Sequence, residues 1–88
     1  MQIELTRKFQ KQVENCNDKH IKSKILAIVQ AVISSENLNE LPNLKKLTGY
    51  KNFYRIRLGN YRIGLLIEDK TIVFAAFDHR SDIYKYFP

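Results

Sequence analysis

Apolar residues recur along this chain with two different periods, and the change of period divides it into halves. Ile3 and Leu5 alternate with Gln2 and Glu4, which predicts a short strand over residues 2–5. Thr6 is placed to cap a helix directly after it. Phe9, Val13 and Cys16 then fall at i, i+4 and i+7, the spacing of one helical face, and predict a helix over residues 7–16. Asn17 and Asp18 interrupt it, and either can cap a second helix. There Ile21, Ile25, Ile28 and Val32 form a stripe widened by Val29 and Ile33, while Lys22, Lys24 and Gln30 turn to solvent. The pattern fades at Ser34 and Ser35, before a polar turn over residues 36–39. Neither helix can bury its stripe alone, so the two are expected to form an antiparallel hairpin.

Leu38, Leu41, Leu44 and Leu47 come next at three-residue spacing around Pro42, which reads as an irregular or short helical stretch pinned to the core. After Thr48 and Gly49 the period becomes that of strands. Residues 53–58, 61–67 and 71–77 are rich in Ile, Val, Tyr, Phe and Leu. They are separated by Gly59 and Asn60, then by Asp69 and Lys70, and predict a three-stranded antiparallel meander. Residues 81–87 close the chain as one helical turn or an added strand. The fold class expected is α+β, one domain over residues 1–88, with an N-terminal strand and an antiparallel helix hairpin packed on a small antiparallel sheet.

Length and composition are consistent with that picture. Eighty-eight residues, 44% of them hydrophobic with five Phe and five Tyr, can build one thin core. A single cysteine, Cys16, gives neither a disulfide framework nor a cysteine zinc site, and a reducing cytoplasm is the expected compartment. The first ten residues alternate charge and apolarity, so no secretory leader is expected, and no apolar run approaches a membrane span. Charge changes the picture more. The net charge is +6, and residues 45–88 hold nine basic side chains against four acidic ones. Within residues 45–62 lie Lys45, Lys46, Lys51, Arg55, Arg57 and Arg62 and no acid, a field suited to phosphate backbones or to an acidic protein.

A two-residue turn at Gly59 and Asn60 sets Leu58 opposite Tyr61, Arg57 opposite Arg62, Ile56 opposite Ile63 and Arg55 opposite Gly64. Arg55, Arg57 and Arg62 then share one sheet face, where Gly64 leaves space beside Arg55. Tyr54, Ile56, Leu58, Ile63, Leu65 and Ile67 take the face the helices cover. Continued alternation assigns Val73, Ala75 and Phe77 to the arginine face and Ile72, Phe74 and Ala76 to the covered one. Like charges directly opposite each other are destabilising, so three grouped arginines make sense beneath an anion. The plain alternative is a set of solvated charges covered by acids from elsewhere. His79, expected beside these arginines at the end of the third strand, can shuttle protons as arginine cannot easily do. Tyr84 and Tyr86 can plug the core, stack on a base or move a proton. His20, at a helix start, has no role assigned.

Several chemistries are set aside. Three glycines supply no phosphate-binding loop. The two histidines are far apart with no cysteine partner, so no metal or cofactor is expected. Glu68, Asp69, Asp78 and Asp82 all stand at strand ends, which argues against a paired-carboxylate hydrolase. Asp78, His79 and Ser81 are too close along the chain to expect a working triad.

The run Lys46-Leu47-Thr48-Gly49, the stretch Tyr54-Arg55-Ile56-Arg57-Leu58-Gly59-Asn60-Tyr61-Arg62-Ile63-Gly64 and the closing His79-Arg80-Ser81-Asp82-Ile83-Tyr84 resemble the RelE/ParE-type toxins of toxin–antitoxin operons, on the RelE side. The resemblance implies the compact α+β toxin fold and an endoribonuclease that cuts messenger RNA in the ribosomal A site of the 70S ribosome. It also implies an acidic antitoxin as partner, with a toxin–antitoxin heterotetramer that meets operator DNA through the antitoxin. The family's basic pair falls on Arg55 and Arg57, its next arginine on Arg62, its arginine after the last strand on Arg80 and its near-terminal tyrosine on Tyr84. Lys45, Lys46 and Lys51 would add substrate contacts. The first two positions are often lysines in the family, one of them a proton acceptor; arginine here moves that role to His79 or leaves it to a perturbed arginine. A gyrase-inhibiting relative, or an inactive homologue that keeps only antitoxin binding, are the alternatives.

Overall fold

The structure, a computed structural model, describes residues 1–37 and 40–88. Leu38, the first of the spaced leucines, and Asn39 of the expected turn lie outside the described residues. The chain runs β1 (Gln2–Leu5), α1 (Arg7–Glu14), α2 (Lys19–Ser34), β2 (Leu44–Lys46), β3 (Phe53–Leu58), β4 (Tyr61–Glu68), β5 (Thr71–His79) and a 3₁₀ turn at Ile83–Lys85. The strands form one five-stranded sheet in the order β1-β5-β4-β3-β2. It is antiparallel except at β1, which runs parallel to β5. No helix among the described residues is long and apolar enough to cross a membrane.

Both helices start on side-chain caps. The Thr6 hydroxyl accepts from Phe9 N–H at 3.1 Å, and an Asp18 carboxylate oxygen accepts from His20 and Ile21 N–H at 2.9 and 3.2 Å. From α2, Ile21, Ile25 and Val32 are buried against the sheet, with Ile28 and Val29 packed at the margin. Ile33 instead stands 51% exposed, because one residue past Val32 is a turn of about 100° away from the sheet. Phe9 of α1 meets Phe74 at 5.4 Å between ring centres.

The segment after Pro42 is a strand rather than the irregular or helical piece its leucine spacing implies. Leu44 pairs with Ile56 and faces the helix-side core, whereas Leu47 packs with Phe53, Ala75, Ala76, Ile83 and Phe87 on the other face. Three-residue spacing here serves two sides of a sheet edge. The β3–β4 register is the expected one, including Arg57 opposite Arg62 and Arg55 opposite Gly64.

Between β4 and β5 the alternation fails. Gly64 pairs with Ala76 and Leu65 with Phe74, so Ala75 is an extra residue, a β-bulge. The Thr6 hydroxyl donates to the Ala75 carbonyl at 3.0 Å. With a side-chain period of two, one inserted residue reverses the facing of everything beyond it. Phe77, expected on the arginine face, is therefore buried on the helix side, and Ala76 takes the arginine face.

The closing turn covers the middle of that second face. Phe87 lies over Gly64 and meets Phe53 edge-on at 5.6 Å between ring centres. The space expected beside Arg55 is thus filled by the chain itself. A Cβ on Gly64 would stand 2.7–2.8 Å from the Phe87 ring, closer than carbon atoms tolerate. Gly64→Ala is expected to cost about 1–3 kcal/mol by overpacking. Denaturant unfolding checks this, and the cost should shrink when Phe87 is also replaced by Leu.

Candidate phosphate-binding site

Arg57 and Arg62 stand opposite each other beside the Gly59 turn, where Gly59 adopts φ 58°. Arg62 Nη1 donates to the carbonyls of Gly59 and Tyr61, each at 2.8 Å, which folds its guanidinium back over the turn. Arg55 Nη1 donates to the Asn43 carbonyl at 3.2 Å, and the same carbonyl takes the Arg57 backbone N–H at 3.3 Å. Asn43, at φ 61°, thereby ties β3 to the loop before β2. Lys45 pairs opposite Arg55 in the β2–β3 ladder. Lys46 and Lys51 are exposed nearby, on β2 and in the loop before β3.

The guanidinium of Arg62 senses its neighbours. Its acidity is raised first by partial burial, and then by the positive charges of Arg55, Arg57 and Arg80; the Tyr84 phenol acts in the opposite sense. Arg55, Arg57, Arg80 and Tyr84 therefore all lie within electrostatic reach of Arg62. Among the described residues the one ion pair is Lys85–Asp82, at 3.2 Å, so no acid is paired with any of these arginines. The acids that the plain alternative would place over these charges are not paired with them among the described residues. Tyr84 is half exposed, and Arg80, whose backbone N–H donates to the Asn60 carbonyl at 2.8 Å, is held against the β3–β4 turn.

His79 is placed elsewhere. The bulge sets it opposite Tyr61 on the helix side, where the two rings meet edge-on at 5.8 Å, rather than on the face of Arg55, Arg57 and Arg62. Its Nδ1 accepts from Ser81 N–H at 3.1 Å and lies 2.7 Å from the Ser81 hydroxyl, which leaves Nε2 to carry the proton of the neutral ring. Ser81 and His79 thus meet as near neighbours in the chain. Asp78 nevertheless takes the His79 main-chain N–H at 2.8 Å and not its ring, so the three form no relay.

Two residues the sequence did not single out, Gln12 and Lys8, join Tyr86 at this end of the molecule. The Tyr86 hydroxyl donates to Asp78 Oδ2 at 2.9 Å and accepts from Gln12 Nε2 at 2.6 Å, while Gln12 Oε1 accepts from Phe77 N–H at 2.9 Å. The Lys8 ammonium sits 3.7 Å above the Tyr86 ring. Gln12 and Tyr86 are 74 positions apart, and no local pattern signals their meeting. A cleft of about 720 Å³, lined in part by Asn15, Cys16, Asp18, Tyr61 and Asp78, lies at this end of the molecule; none of the arginines lines it.

A family described as the ParE toxin of the type II toxin–antitoxin system, parDE, matches residues 3–84. The chain belongs to the RelE/ParE superfamily of toxins. Within the superfamily this toxin is RelE-like. It is 47% identical over 70 residues to Toxin RelE3 of Methanocaldococcus jannaschii, a match spanning 78% of this chain and 80% of that protein. Its structure is similar to the RelB–RelE antitoxin–toxin complex from Methanococcus jannaschii, with TM-score 0.84 and 39% identity over 97% of this chain and 99% of that one. YafQ from E. coli, 16% identical, shares the fold at TM-score 0.74, covering 93% and 96% of the two chains. The chain is a RelE-like toxin of a type II toxin–antitoxin module.

Burial, reinforced by the neighbouring Asp78 carboxylate, pushes the Tyr86 phenol up to about 12. Because the folded toxin holds this proton more tightly than the unfolded chain, the contribution of Tyr86 to stability is complete below about pH 10 and is lost as the pH rises toward 12. Thermal unfolding across that window should show the decline. Tyr86→Phe should remove its share of the slope, and absorbance titration should show one phenolate forming late.

Proposed function

We propose that this toxin cleaves messenger RNA in the ribosomal A site by attack of a ribose 2′-hydroxyl on the adjacent phosphorus. The P–O5′ bond breaks, leaving a 2′,3′-cyclic phosphate and a free 5′-hydroxyl. The observation that carries this reading is the group of Arg55, Arg57, Arg62 and Arg80 with Tyr84, placed where no acid neutralises it. Negative charge builds on the phosphoryl oxygens in the transition state, and preorganised guanidinium groups stabilise it there. Arg55, Arg57 and Arg62 hold the scissile phosphate, Arg80 supports it or the leaving oxygen, and Tyr84 stacks on a base. Lys45, Lys46 and Lys51 extend the basic field along the RNA.

Two groups can carry the proton. His79 offers its ring Nε2 from the end of β5. Tyr84 offers a phenol already in the field of Arg62. The partner is an acidic antitoxin that covers the basic surface, as suits a relative of the toxin in an antitoxin–toxin complex. A toxin–antitoxin heterotetramer would reach operator DNA through the antitoxin. Action on ribosomes places the toxin in the cytoplasm.

The test is cleavage of messenger RNA by purified toxin with and without programmed 70S ribosomes, mapping 5′ ends. Arg62→Ala should lower the rate about 10²–10³-fold with the fold retained, the usual loss of one transition-state charge donor. His79→Ala and Tyr84→Phe should separate the two proton carriers, since the one in use carries the larger loss. Growth arrest without cleavage in any lane would replace this reading with gyrase inhibition. Neither cleavage nor arrest would leave an inactive antitoxin-binding homologue.

A further inference from the structure

Asp78 is an acid in the wrong place for a phosphate site. It pairs with Arg62 in the β4–β5 ladder, so the two side chains leave the same face of the sheet. At the spacing of directly opposed residues, a carboxylate and a guanidinium would ordinarily pair. They do not: no ion pair joins them, and both Asp78 oxygens are engaged elsewhere, Oδ1 by His79 N–H at 2.8 Å and Oδ2 by the Tyr86 hydroxyl at 2.9 Å.

The direction of this network is fixed by chemistry. A backbone N–H can only donate, so the Gln12 atom 2.9 Å from Phe77 N is the amide oxygen. Its amide nitrogen must then donate to the Tyr86 oxygen, 2.6 Å away. The Tyr86 hydrogen is left free to point along the 2.9 Å line to Asp78 Oδ2. The raised Tyr86 phenol stays protonated at neutral pH and remains a donor. Lys8, 3.7 Å above the ring, holds the tyrosine from its outer side.

We propose that Tyr86 and Gln12 are positioning residues for the arginine cluster: they hold the Asp78 carboxylate away from Arg62, which it would otherwise neutralise. The proposal rests on the reading of that cluster as a phosphate site. Without the Tyr86 hydroxyl, Asp78 Oδ2 needs a new donor, and Arg62 is its partner in the ladder. The toxin would then carry an internal competitor for the phosphate.

The test uses the whole toxin, its Tyr86→Phe and Asp78→Asn variants and the double variant. A 2′-O-methyl RNA oligonucleotide, which lacks the attacking hydroxyl, reports binding; NMR of the Arg62 Nε–H reports any carboxylate contact; melting reports the fold. Tyr86→Phe should bring Arg62 into contact with Asp78 and weaken RNA binding about fivefold, the scale of a partly exposed ion pair. Adding Asp78→Asn should restore both signals while leaving the melting temperature low, which a purely structural role of Tyr86 would not allow. Gln12→Ala should shift both in the same direction by less, and serves if Tyr86→Phe does not fold. A double variant that binds as weakly as Tyr86→Phe, or a folded Tyr86→Phe with unchanged Arg62 signal and affinity, overturns the proposal. An Arg62–Asp78 contact in Tyr86→Phe with no RNA binding by any form, wild type included, would uphold the clamp and remove the phosphate reading.

Discussion

The bulge at Ala75 decides on which side of the sheet the end of β5 lies, and most of the toxin's chemistry depends on that one inserted residue. Before it, Ile72 and Phe74 point at the helices in ordinary alternation; after it, Phe77 does. The reversal delivers Asp78 to the face of Arg62 and His79 to the face of Tyr61. The Thr6 hydroxyl, which caps α1 and also donates to the Ala75 carbonyl, anchors the inserted residue to the start of the first helix. A slip that removed the bulge would move a large aromatic side chain out of the core, which is why the hydrophobic effect holds it in place.

With the register so fixed, the two faces of the sheet take different duties. One is closed by α1 and α2 around Ile25, Ile63, Leu65, Ile72 and Phe74. The other is only partly closed, by Ile83 and Phe87 over Gly64 and Ala76. Basic side chains crowd the uncovered end because the covered end has no room for them. Their mutual repulsion opposes folding unless an anion is present, so stability and ligand binding pull in opposite directions at one place. The Tyr86 hydroxyl, the Gln12 amide and the Phe77 N–H show how that tension is kept from relaxing inward.

Much of this could be read from the residues alone, for physical reasons that also mark where such reading stops. A two-residue turn at Gly59 and Asn60 admits one pairing, so the facing arginines and the buried faces of β3 and β4 were legible. The stripe of α2 was legible because burial tracks its period, and it overreached only at Ile33. The bulge was not, since nothing in Thr71-Ile72-Val73-Phe74-Ala75-Ala76-Phe77 marks one alanine as extra; the placement of Phe77 and His79 was lost with it. β2 was hidden because leucines serving opposite sides of a sheet edge mimic a helical spacing. Gly64 advertised an empty space, but the ring that fills it comes from Phe87, a partner no local window includes.

The pairing of β1 with β5 has a consequence in time. These strands join residues at opposite ends of the chain, and the Thr6–Ala75 bond spans 69 positions. Contacts so distant in sequence form late in folding and require both partners to have been synthesised. A chain made only as far as residue 70 has Arg55, Arg57 and Arg62 but no bulge, no Arg80 and no β5 beside them. The basic cluster is therefore supported only after β5 has been made and has closed the sheet between β1 and β4.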